Sequence, residues 1–113
     1  MLDFEHPQSY IRMNTMFLSI NENEKDEVFA AEAKGDGMVN AGINDGDMLF
    51  FCKTDSFRNG EIVAVTVDGK SLVRRIFKGR NRVKLRREIG KGEDTYVKDY
   101  ILHGRLVGIQ RKV

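Results

Sequence analysis

The sequence is poor in the residues that staple, break or anchor a chain. Its 113 residues include one cysteine, one proline and no tryptophan. A lone thiol, Cys52, cannot form an internal disulfide, which excludes a stapled secreted scaffold and points to a reducing, cytoplasmic setting. The longest unbroken apolar run, Met48 to Cys52, is five residues against the roughly 20 that cross a bilayer, so no membrane anchor is expected. Asp3, Glu5 and Arg12 interrupt the N-terminal segment and leave no apolar core for an export signal. His6 and His103 stand alone, without the Cys or Glu spacing of a zinc site, so neither metal nor cofactor is implied. A helix-turn-helix pattern is also missing, and operator reading by this chain is not expected.

What is present suits one globular domain with one core: 41% hydrophobic residues and 32% charged. The net charge of +2 conceals a split, because residues 1–50 hold ten acidic and three basic residues while 51–113 hold seven and sixteen. Such asymmetry marks either a nucleic-acid footprint or two complementary surfaces that meet within or between subunits. Much of the positive charge lies in Arg74, Arg75, Lys78, Arg80, Arg82, Lys84, Arg86, Arg87 and Lys91. No aromatic beyond Phe77 is interleaved there to stack bases, which favours a solvated basic hairpin over a nucleic-acid surface.

From Glu27 onward, short apolar stretches alternate with Gly and Asn turn chemistry, and the chain reads as mainly β. Strands are predicted at Glu27–Ala33, Asp47–Lys53, Glu61–Val67, Ser71–Phe77 and Arg82–Arg87, with a pair within Tyr100–Val113. Asp68-Gly69 joins two of these as a tight hairpin, since glycine tolerates the positive φ that a tight primed turn requires. Turns are also expected at Asp55–Gly60 and Lys78–Asn81. Residues 1–26, with Met13, Met16, Phe17, Leu18 and Ile20, read as an arm outside the domain of residues 27–113.

The densest signal is Lys34-Gly35-Asp36-Gly37-Met38-Val39-Asn40-Ala41-Gly42-Ile43-Asn44-Asp45-Gly46-Asp47, running straight into Met48-Leu49-Phe50-Phe51. Glycines at this density make consecutive tight turns. A phosphate-cradling loop fits poorly, because the lysine precedes the glycines and no Gly-Lys-Ser/Thr helix start follows.

Gly35, Asp36, Met38, Gly42, Ile43, Gly46 and Asp47 resemble the signature of the LexA and UmuD family of self-cleaving serine peptidase domains. Arg58-Asn59-Gly60-Glu61-Ile62-Val63, Val73-Arg74-Arg75-Ile76 and Gly104-Arg105-Leu106-Val107-Gly108-Ile109 resemble three later stretches of that pattern at matching spacing. The resemblance, from about Val28 to the C-terminus, implies that family's fold of short twisted strands and hairpins, with residues 1–26 an N-terminal arm or the remnant of a linker or cleavage region.

Both catalytic positions depart from the pattern. The family's serine nucleophile falls on Gly37 and its activating lysine on Arg74. Glycine has no oxygen with which to attack a carbonyl. A lysine becomes a base near neutral pH when burial depresses its pKa, whereas arginine starts above 12 and its neutralisation costs on the order of 7 kcal/mol. The family's Ala-Gly or Cys-Gly scissile bond is also missing upstream of Gly37. The resemblance therefore implies a catalytically silent regulatory and dimerisation domain. Its implied partners are a second copy of itself, and a recombinase filament or translesion polymerase, with DNA reached only through a separate domain. Leu106, Val107 and Ile109, on an exposed C-terminal strand, are the expected dimer interface. The alternatives are a residual Ser-Lys-type peptidase, or a nucleic-acid module using residues 74–91.

Overall fold

The computed structural model describes residues 10–21 and 26–111. Among them, eight strands form one antiparallel sheet: β1 Tyr10–Asn21, β2 Asp26–Lys34, β3 Met48–Lys53, β4 Glu61–Val67, β5 Lys70–Lys78, β6 Val83–Arg87, β7 Glu93–Val97 and β8 Ile101–Gln110. The order across the sheet is β1-β2-β3-β8-β4-β5-β6-β7. From β1 to β7, consecutive strands are sheet neighbours except β3 and β4, which β8 separates as it returns to the middle and pairs with both. The sheet also curls enough to bring β1 close to β5.

The mainly β expectation holds, and the five strands predicted between residues 27 and 87 are present within two residues at each end. Asp68 and Gly69 both take positive φ, 52° and 78°, as the β4–β5 hairpin requires. Three details differ. Part of the N-terminal segment forms β1, registered on β2 from Tyr10↔Lys34 to Asn21↔Asp26. Glu93–Val97 is a strand although its Glu-Asp-Thr start gives no apolar alternation, because it pairs with β6 at the sheet's edge. The expected pair within Tyr100–Val113 is the single strand β8.

Two bulges explain the third difference. Ala64 faces Gly104 and Val65 faces Leu102, which leaves His103 as an extra residue; Phe50 faces Gly108 and Phe51 faces Leu106, which leaves Val107 as another. Each bulge breaks the alternation of apolar and polar residues that would identify one continuous strand.

The expected single core is two clusters on opposite faces of the sheet. One gathers Phe29, Ala31, Leu49, Phe51, Ala64 and Val73 with Met38 and Ile43 from the β2–β3 loop. The other gathers Val63, Val65, Ile76, Val83 and Leu85. Strand β4 serves both, since Ala64 faces one cluster while Val63 and Val65 face the other. That is why Ile62-Val63-Ala64-Val65 reads as an unbroken apolar run. Phe29 and Phe51 stack with ring centroids 5.4 Å apart. Gly104 sits where β8 presses on β3, and a Cβ there would lie 2.6 Å from the Cys52 carbonyl oxygen. Among the described residues, no helix is long and apolar enough to cross a membrane.

Candidate functional site

Residues 35–47 connect β2 to β3 through a short 3₁₀ turn, Val39–Ala41. Gly42 and Gly46 take φ of 83° and 86°, yet a Cβ at either would touch nothing within 4 Å, so glycine is needed there for backbone angle and not for space. Side chains of the loop then satisfy its own backbone. Asp45 Oδ1 accepts the Gly35 amide at 2.6 Å, and Asp47 Oδ2 accepts the Asn44 amide at 2.7 Å.

Asp47 anchors this arrangement. It is 1% exposed, and Arg111, just past β8, binds it with both ends of its guanidinium fork: Nε to Oδ1 at 2.9 Å and Nη2 to Oδ2 at 2.8 Å. Arg111 Nη2 also donates to the Gly42 carbonyl at 2.7 Å. The Arg111 hydrogen bonds hold the Asp47 carboxyl below its ordinary pKa, more than offsetting the burial that would raise it. On the other side the loop rests on the β6–β7 connection. The Asn40 amide donates to the Glu88 carbonyl at 2.8 Å, its side-chain amide donates to Gly90 O at 2.9 Å, and the Glu88 amide meets Met38 Sδ at 3.4 Å. Arg75 Nε donates to Glu88 Oε1 and fixes that connection to β5.

Gly37 lies inside this frame, buried next to core Met38. Arg74 lies on β5 opposite Val63 and is 8% exposed. The two positions ride on segments that pack together, because Met38 and Val73, their immediate neighbours, belong to one cluster. Burial, followed by repulsion from Arg87, lowers the Arg74 pKa to about 10, with Glu93 opposing the change. Arg74 therefore remains a cation at neutral pH. Its Nη1 donates to the Val73 carbonyl at 2.7 Å.

A search against known families matches residues 1–109 to the Peptidase S24-like family. The chain belongs to the Peptidase S24-like family. It is also similar to LexA repressors: 37% identical over 100 residues to that of Clostridium tetani (strain Massachusetts / E88), covering 88% of this chain and 50% of the relative. The LexA repressor of Desulfitobacterium hafniense (strain DSM 10664 / DCB-2) is 33% identical over 98 residues, 87% of this chain and 48% of the relative. That of Geobacillus sp. (strain WCH70) is 36% identical over 92 residues, 80% and 44%. The chain spans about half the length of the curated relatives it matches.

Within this S24-like, LexA-like domain, the signature residues fall into distinct roles. Met38 and Ile43 are core, Asp47 is the buried anchor, Gly42 and Gly46 are turn residues, and Asp36 is exposed. The expected dimer residues separate. Leu106 packs against the first cluster, whereas Val107 and Ile109 are 48% and 41% exposed. Strand β8 is not an edge strand over its whole length, since it lies between β3 and β4. Past Arg105, however, it pairs only with β3 among the described residues. Sequence reasoning passed over Arg111, Glu88 and Asn40. The contacts by which they fasten the loop span fifty or more positions of the chain, so no local spacing could have disclosed them.

Proposed function

We propose that this chain is the regulatory and self-association domain of a LexA- or UmuD-like protein, silent as a peptidase, in a DNA-damage or prophage-type response. The observation that carries this reading is Arg74, a buried residue at the position of the family's base that stays protonated, combined with a glycine at the nucleophile's position. Without a proton acceptor or an attacking oxygen, the covalent route of a Ser-Lys peptidase has no first step. The similarity to LexA repressors supports a repressor-type setting in the cytoplasm. In it, residues 1–26 correspond to an N-terminal arm or to the family's linker or cleavage region, and DNA is reached through another domain. A recombinase filament or translesion polymerase is the proposed hetero-partner.

Self-association is assigned to β8 beyond Arg105, where the strand pairs only with β3 among the described residues and the exposed Val107 and Ile109 can meet a second copy about a two-fold axis. Light scattering is expected to give a dimer at high micromolar concentration and a monomer for Ile109→Asp; a wild-type monomer there rejects the interface. For catalytic silence, the chain is incubated at alkaline pH with an activated recombinase filament. An unchanged intact mass is expected, and a discrete fragment rejects it. Gly37→Ser combined with Arg74→Lys is expected to give weak cleavage of an Ala-Gly peptide in trans.

A further inference from the structure

The basic β5–β6 hairpin is not electrically uniform. Along its body, Arg75, Arg86 and Arg87 are each ion-paired, to Glu88, Asp94 and Glu93 respectively. At its tip, Lys78 and Arg82 have no carboxylate partner among the described residues, and neither does Lys98 beyond β7. These three cations line one open cavity of about 370 Å³, with no acidic residue in its wall. Phe57, Tyr100 and the buried Val83 also line it, all three belonging to or packed against the second cluster. Lys78 Nζ lies 5.6 Å from the Phe57 ring centre, and Arg82 sits 4.7 Å from that of Tyr96, itself 54% exposed. The fold thus brings to the hairpin aromatic rings beyond its own Phe77.

The turn that forms the cavity's mouth is held in place. The Lys78 amide donates to Asn59 Oδ1 at 2.7 Å, the Gly79 amide donates to Arg82 O at 2.9 Å, and Asn81 takes a φ of 61°. A Cβ at Gly79 would meet the Arg82 carbonyl oxygen at 2.9 Å, so the loop closes only around glycine.

We propose that this cavity binds a phosphate-bearing planar base, supplied by a free nucleotide or by single-stranded nucleic acid. Three uncompensated cations provide for a phosphate dianion, and the aromatic walls provide a surface for a flat ring. The volume lies at the low end of the range for small-ligand sites, a size that suits one nucleotide. The inference is independent of the peptidase-site reading, since none of these residues belongs to that site.

The test is amide chemical-shift titration of the full chain with thymidine 5′-monophosphate, thymidine, inorganic phosphate, tetraglutamate and a (dT)10 oligonucleotide. The monophosphate is expected to move the Gly79, Asn81 and Lys98 amides, at least tenfold more tightly than thymidine or phosphate alone. Arg82→Ala and Lys98→Ala, both exposed positions, are expected to weaken binding at least fivefold with unchanged thermal midpoints. Lys53→Ala, which does not line the cavity, is expected to leave it unaltered. Tighter binding of (dT)10 identifies the polymer as the source, and its affinity should then fall about 20-fold between 50 and 200 mM salt for three phosphate contacts. Equal binding of (dT)10 and the monophosphate identifies the free nucleotide. The proposal is overturned if none of these amides moves, if phosphate or tetraglutamate matches the monophosphate, or if Arg82→Ala binds as well as wild type.

Discussion

Arg111 and Asp47, 64 positions apart in the chain, form a two-pronged ion pair in which the carboxylate is buried and the guanidinium is half exposed. The pair ties the end of the last strand to the loop that carries the family signature. Removing the arginine leaves a buried carboxylate whose remaining donor among the described residues is the Asn44 amide. Arg111→Ala is therefore expected to lower the thermal midpoint by several degrees, because a buried acceptor loses its charged hydrogen-bond donor. Because the Asp47 pKa is lowered on folding, the pair's contribution is present above the unfolded value of 3.8 and is lost as pH falls through the folded one. Thermal melts of wild type and Arg111→Ala should differ at pH 7 and converge in strong acid.

His103, the extra residue of the first β8 bulge, places Nε2 2.6 Å from Thr66 Oγ1. Burial lowers its pKa below the ordinary 6.5. Folding thus favours the neutral ring, and that stability is complete above pH 6.5 and lost as pH falls through the lowered value. The ring protons are expected to titrate with a midpoint below 6.5. The thermal midpoint of wild type should fall more between pH 7 and 5 than that of His103→Gln, and equal falls would contradict this.

Gly104→Ala tests the close approach of β8 to β3. The added carbon would lie 2.6 Å from Cys52 O and 3.0 Å from the Phe29 ring, so the strand must move or the aromatic pair must give way. Overpacking of this kind typically costs about 1 to 3 kcal/mol. Urea denaturation should place the variant's midpoint well below that of wild type. Gly108→Ala, where the nearest atoms lie at 3.9 Å, is expected to change little.

The fold was legible where one local rule acted alone. The β4–β5 hairpin followed from Asp68-Gly69, and β3 from an apolar run bounded by turn residues. It was illegible where partners decided the outcome. Glu93-Asp94-Thr95 becomes a strand because Arg86 and Arg87 on β6 meet Asp94 and Glu93 across the register. The signature loop was found from glycine spacing and Asp47, but its fastenings at Arg111, Glu88 and Asn40 were not, because each depends on the placement of β8 and the β6–β7 connection. The charge split between the chain's halves was visible. Which cations are neutralised became clear only from geometry, with Lys53–Glu27 and Arg111–Asp47 crossing between the halves.

The position of β8 also bears on synthesis. Without residues 101–110, β1 to β3 and β4 to β7 would be two sub-sheets, each with a raw border at β3 or β4. Final assembly then awaits the tail of this segment, and a chain stalled or cut before Ile101 leaves two sticky half-sheets exposed to chaperones and proteases.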